Sequence, residues 1–251
     1  MVMEESTCLS YYAEIPVAII GNSVSNFRYF YLTLNKQLLH KELKLTTAPI
    51  TWFFILFACM VLIPGYPILV SCFFICMGMF YSYQFAREAD DILYTALLPI
   101  RKKDVVTAKY LCALFLESIA FLLLIVMTVL RMTVLKDATP YVSNPLMAAN
   151  ITFLALALLI FALFNYIFLG GFFRTAYNYG KPFIFFCIAA FIIVGFGETL
   201  HHLPGMAGFN SISGEGLTMQ WILLVPALLV FILLTGLSLK ISQKRFEDLD
   251  L

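Results

Sequence analysis

Six stretches of the chain, residues 46–63, 66–85, 110–130, 146–169, 183–197 and 219–239, are nearly unbroken runs of apolar side chains. A helix needs about 20 such residues to cross the hydrocarbon core of a bilayer, so the pattern predicts six transmembrane helices, the first and fifth short. Between the first two, Pro64-Gly65-Tyr66-Pro67 cannot continue a regular helix and predicts a tight hairpin turn at one membrane face. Ahead of the first run the rhythm changes. Over residues 27–45, Thr33, Lys36, Gln37, His40 and Lys44 recur three and four apart on one face, while Phe27, Tyr31, Leu34, Leu38 and Leu45 form another. That is the pattern of an amphipathic helix lying along a membrane surface. Asn35 and Glu42 interrupt its apolar side, so part of that side is expected to meet protein instead of lipid. Residues 87–109 form a long, highly charged connection in which Ile92, Leu93, Tyr94, Leu97 and Leu98 make one apolar side of a short helix ended before Pro99. A solvated connector has no use for such a side; it calls for a protein partner.

Composition narrows the class. Of 251 residues, 62% are hydrophobic and 12% charged, against about 45–50% apolar and about 25% charged in an ordinary soluble domain. A soluble enzyme is excluded on that ground, and with a net charge of +1 and no basic domain so is a nucleic-acid partner. The distribution of charge says more than its sum. Fourteen of the sixteen basic residues fall on one side of a six-span arrangement, leaving Arg131 and Lys136 on the other. The positive-inside rule then places both termini in the cytoplasm of a multi-pass protein of a cell membrane, with its basic edges against membrane lipid. Five of the six cysteines, Cys59, Cys72, Cys76, Cys112 and Cys187, lie within apolar runs and only Cys8 lies outside, which reads as small hydrophobes and not as a disulfide framework. The N-terminal stretch has too few apolar residues, 15–20, for a secretory signal.

Candidate chemistry is sparse. Glu117 lies eight residues beyond Lys109, about 12 Å into the third run at 1.5 Å per residue. An intramembrane carboxylate is costly, so it is read either as a substrate-pathway residue or as a hydrogen bond tying the bundle, with Asn165 and Tyr166 as candidate neighbours. Glu198, His201 and His202 bring together ligand types that hold zinc but lack a third convincing ligand and any metalloprotease motif, and the glycines around them suit a segment turning within the headgroups. Asn150-Ile151-Thr152 matches a glycosylation sequon by chance at the edge of a span. Gly180-Lys181 is followed by Pro182 where a phosphate-binding loop needs Ser or Thr, so no ATPase and no cofactor site is expected in this chain. Two rival readings are an ion-coupled secondary transporter using Glu117 and an intramembrane hydrolase using His201 or His202.

The order of amphipathic helix, L-I-P-G-Y-P hairpin, A-R-E-A-D-D and L-L-P-I-R-K-K-D-V-V-T-A-K-Y-L resembles the ABC-2 type permeases, the six-span subunits of ATP-binding-cassette exporters. Within that group it is similar to Gram-positive bacterial permeases related to exporters of phenol-soluble modulins and to bacteriocin self-protection systems. The resemblance covers residues 27–251, and residues 1–26 have no counterpart. It implies an all-α integral membrane fold with an N-terminal interface helix, including Lys36, His40, Lys41 and Glu42, and a cytoplasmic coupling helix between spans two and three. It also implies that Glu88, Asp90, Asp91, Ile92, Leu93, Tyr94, Leu97, Leu98 and Pro99 dock on a separate ATPase subunit that binds ATP and magnesium. A second permease copy or a sister permease, and amphipathic peptide or lipid-like cargo, complete the implied set of partners.

Overall fold

The computed structural model describes residues 37–96, 100–142, 144–174, 178–212 and 216–248. The expectations for residues 1–36, Lys36 among them, and for Leu97, Leu98 and Pro99 lie outside the described residues, as do those for the side chains of Ile92 and Leu93. Among the described residues every regular element is helical.

Helix α1 (Gln37–Lys44) runs into π-helical turns over Glu42–Thr46. Proline disfavours the helical region for the residue before it, so Ala48 is extended, and Pro49 opens α2 (Pro49–Ile55) where its missing N–H costs no helical bond. The chain bends by 85° between α1 and this second stretch. α2 then tightens into a 3-10 helix over Leu56–Leu62. Gly65, at φ 72°, makes the expected hairpin turn, and α3 (Val70–Glu88) returns. Asp90 adopts φ 50°, a left-handed conformation that a short polar side chain tolerates, and reverses the chain into α4 (Asp91–Ala96). Four long helices follow: α5 (Lys102–Thr133), α6 (Ile151–Phe172, π-helical over Phe164–Leu169), α7 (Gly180–Leu200) and α8 (Gly216–Glu247, with Pro226 inside).

α5 to α8 are each long and apolar enough to cross a membrane, and the count becomes five if α1 and the stretch Pro49–Leu62 are one bent span. Several predicted boundaries shift. The third run is helical from Lys102 and not from residue 110, because Val105, Val106 and Ala108 are buried and extend the packing face two turns beyond the apolar run. The fourth begins at Ile151 because Asn150 caps it, its side chain accepting from Phe153 N at 3.1 Å; residues 146–150 precede the helix. The fifth is 21 residues long and not short.

α6 is the central helix, with Phe153, Leu156, Ile160, Phe161 and Phe164 all within 1% of complete burial. α8 lies along it, α5 packs on α8 and on the 3-10 stretch, and α2 packs on α3. Gly78 allows the last approach: a Cβ there would fall on the Phe54 side chain, and the Gly78 carbonyl accepts from Thr51 Oγ1 at 2.7 Å. Burial against lipid gains little hydrophobic energy, so close packing and interhelical hydrogen bonds carry the assembly. Ring contacts such as Phe80 on Phe183 (3.9 Å) and Tyr83 against Phe172 (5.1 Å) join α3 to α7 and α6. Ile184, Ile188 and Ile192 on α7, and Ile222, Leu229 and Leu233 on α8, face outward.

Candidate functional site: a buried ring of four charges

At one end of this bundle three elements converge. α4 turns Asp91 and Thr95 inward, the end of α1 contributes Lys41 and Glu42, and α5 contributes Lys109 from its second turn. Lys41 Nζ lies 3.0 Å from Glu42 Oε1, and Lys109 Nζ lies 2.8 Å from Glu42 Oε2. Asp91 completes the ring, with Oδ2 at 2.8 Å from Lys109 Nζ and Oδ1 paired with Lys41 Nζ. Each carboxylate therefore gives one oxygen to each lysine, and two positive and two negative charges alternate with no net charge. Lys41 also donates to Thr95 Oγ1 at 2.9 Å, and that hydroxyl donates to the Asp91 carbonyl at 2.6 Å.

The ring is out of water: the side chains of Lys41, Glu42 and Lys109 are 4%, 2% and 1% exposed, and that of Asp91 15%. Buried ion pairs add little net stability over an apolar replacement, yet removing one partner is strongly destabilising because the other charge is stranded. The arrangement fastens α1, α4 and α5 to one another. Burial by itself would raise the Asp91 carboxyl, but Lys109 and Lys41 outweigh it and hold the group at about 2, below its ordinary 3.8. A depressed carboxylate contributes stability that is complete above its unfolded value and disappears as pH falls through the folded one. Thermal unfolding of the purified protein is therefore expected to show a loss of stability between about pH 4 and about pH 2, and Asp91→Asn should remove that step.

The predicted docking residues divide into different jobs. Asp90 shapes the backbone turn, Asp91 enters the ring, Tyr94 is 65% exposed on the outward side of α4, and Glu88 accepts from Gln84 on the surface at 3.0 Å. His40 is exposed on α1, whereas Lys41 and Glu42 are buried. The expectation that Glu42 meets protein is met by Lys109. Lys109 itself was missed: its position beside an apolar run gives it the look of a membrane-edge anchor, and its partners are 18 and 67 residues away.

Halfway along α5, Glu117 Oε2 accepts from Asn165 Nδ2 at 2.9 Å, and Asn165 Nδ2 also reaches Thr235 Oγ1 on α8 at 3.1 Å. All three are buried, while Tyr166, the other candidate neighbour, is 44% exposed. The Asn165 carbonyl takes the Gly170 N–H across the π-helical turn and also accepts from Ser238 Oγ at 2.6 Å, and Ser238 and Ser242 share the Tyr110 hydroxyl at 2.7 and 2.8 Å. Thr235, Ser238 and Ser242, spaced three and four apart, form a polar stripe that went unread, although that helical spacing is the signal that could have found it. At the opposite end, Glu198 Oε2 accepts from Met147 N at 2.9 Å and His201 Nε2 lies 3.1 Å from the Pro145 carbonyl. Asn150 Nδ2 donates to the Phe209 carbonyl at 2.8 Å, so these residues knit residues 145–150 to the segment after α7. Among the described residues no three His, Cys, Asp or Glu side chains gather as a metal set.

Residues 37–247, which include the ring and the Glu117 cluster, match the family model described as ABC-2 family transporter protein. The chain belongs to that family. No curated protein and no solved structure matches it. As an ABC-2 family protein it is a multi-pass membrane chain, and the family implies a partner ATPase that supplies the energy.

Proposed function

We propose that this ABC-2 chain is the permease subunit of an ATP-driven exporter, moving amphipathic peptides or lipid-like molecules out of the cytoplasm or the inner leaflet of a bacterial membrane. ATP and magnesium bind on the partner subunit, and a second permease, identical or sister, completes the pathway. Counting the α2 stretch and α3 as spans gives six, with both termini and the charge ring at the cytoplasmic face. α4 is the coupling helix, α1 the interface helix.

The observation that carries this reading is the ring. A small helix that docks on an ATPase can move a membrane bundle only if it is fixed to it, and α4 is held by Asp91 to α1 and to the 32-residue α5. The cargo class follows from the bundle: Glu117 is its mid-membrane carboxylate, and the outward helix faces are apolar, so a strongly charged sugar or nucleotide would lose its hydration with little in exchange. The test is reconstitution of the full chain with its ATPase in lipid. Amphipathic peptides should change the ATP hydrolysis rate, and Tyr94→Asp, outside the bundle, should weaken ATPase association without altering membrane insertion. Hydrolysis indifferent to the permease would sink the reading; a response only to hydrophilic polysaccharide precursors would sink the cargo class.

A further inference from the structure

On the bundle side of the ring lies a cavity of about 20 Å³, bordered by Glu42, Thr46, Thr47, Ser82, Tyr83 and Lys109. That volume holds one water molecule, which needs about 10–15 Å³ and two to four polar partners. Most of the polar side chains around it are committed. Thr47 Oγ1 donates to the Glu42 carbonyl at 3.1 Å, Ser82 Oγ takes the Ala48 N–H at 3.1 Å and pairs with Thr51 Oγ1 at 2.7 Å, and Tyr83 donates to the Lys109 carbonyl at 3.2 Å. Thr46 Oγ1 is the exception: it is buried and, among the described residues, has no hydrogen-bond partner. Lys109 Nζ directs two of its three N–H bonds at carboxylates, and among the described residues the third meets no protein acceptor. Two residues that each carry an uncommitted polar group, Thr46 and Lys109, thus line one water-sized space.

We infer that this cavity is a specific water site, in which one water accepts from Lys109 Nζ and donates to Thr46 Oγ1. Such a water changes what the ring can do. A lysine whose partners are all carboxylates on moving helices loses them outright when a helix shifts. With a water at hand, the ammonium keeps a hydrogen bond while Glu42 or Asp91 withdraws, so the joint separates and closes again at lower cost. The site itself rests on geometry alone; its effect on turnover rests on the exporter reading above.

The test compares the full chain with its ATPase in lipid nanodiscs, wild type, Thr46→Val and Ala113→Val, at a resolution that shows ordered water. Ala113 also lines the cavity and is 2% exposed, so two added methyl groups fill the space. Density within hydrogen-bonding distance of Thr46 Oγ1 and Lys109 Nζ is expected in the wild type and absent in Ala113→Val. ATP-driven turnover in both variants should drop by about tenfold with assembly unchanged. Thr46→Val keeps the side-chain shape, which leaves the inference testable if Ala113→Val fails to fold. A wild-type cavity without density overturns the site. Density lost with turnover unchanged overturns its role in opening the ring, and failure of the ATPase to associate at all bears on the exporter reading while the density still decides the site.

Discussion

Lys109→Met should abolish transport and sharply reduce the amount of folded protein, the largest effect expected of any single substitution in this chain. It leaves Glu42 and Asp91 sharing Lys41 alone, one buried negative charge in excess. Stranding a buried charge costs about 3–5 kcal/mol, a large part of the about 5–15 kcal/mol that holds a typical domain together. Neutralising an anion as well should restore folding, and the choice of anion and cation separates stability from coupling. Lys109→Met with Glu42→Gln balances the charge and leaves Lys41 with Asp91, so α4 stays tied to α1 but is cut from α5. Lys41→Met with Glu42→Gln leaves Lys109 with Asp91, so α4 stays tied to α5. Both pairs should insert and fold to similar levels, while transport should survive in the second and fail in the first. Equal transport by the two folded double variants would show that the α4–α5 link is not the path of coupling.

That link also shows what the sequence could and could not convey. The helices of the third, fourth and sixth apolar runs were legible because apolar runs of that length have one physical solution in a bilayer, and the turn at Pro64 to Pro67 because those residues cannot continue a helix. Glu42 betrayed a protein contact by sitting on the wrong face of an amphipathic pattern. Its partner was not recoverable: a lone lysine at the end of an apolar run looks the same whether it anchors to lipid or closes an ion ring, and the pairing spans 67 residues. The same limit hid Thr235 from Asn165, 70 residues away. Nor does a 3.6-residue hydrophobic period announce the π-helical turns at Glu42–Thr46 and Phe164–Leu169. Yet each lies beside a contact on α5, where a widened turn redirects a polar group into the bundle. The N-terminal extension of α5 was obscured for a different reason, since Lys102, Lys103 and Asp104 mask the buried Val105 and Val106 that follow them.

The second large effect concerns Glu117, where two substitutions of similar size should behave oppositely. Glu117→Leu removes the acceptor that Asn165 Nδ2 uses and leaves a buried polar group short of a partner, a loss of about 1–3 kcal/mol. Glu117→Gln keeps an acceptor for Asn165 and adds an N–H. Among the described residues Glu117 Oε1 and Asn165 Oδ1 are buried acceptors without a donor; the amide replaces the first with an N–H group and leaves the second to accept from it. If Glu117 ties α5 to α6 and α8, Glu117→Gln should fold and transport about as well as the wild type, whereas Glu117→Leu should lose stability in thermal unfolding and transport with it. A proton carrier predicts the reverse for the amide, because glutamine occupies the same space but cannot release or take up a proton. Its transport would then fail in a protein that folds normally, and wild-type transport would follow the proton gradient with ATP withheld. The stability of Glu117→Gln alone does not separate the roles; its transport does.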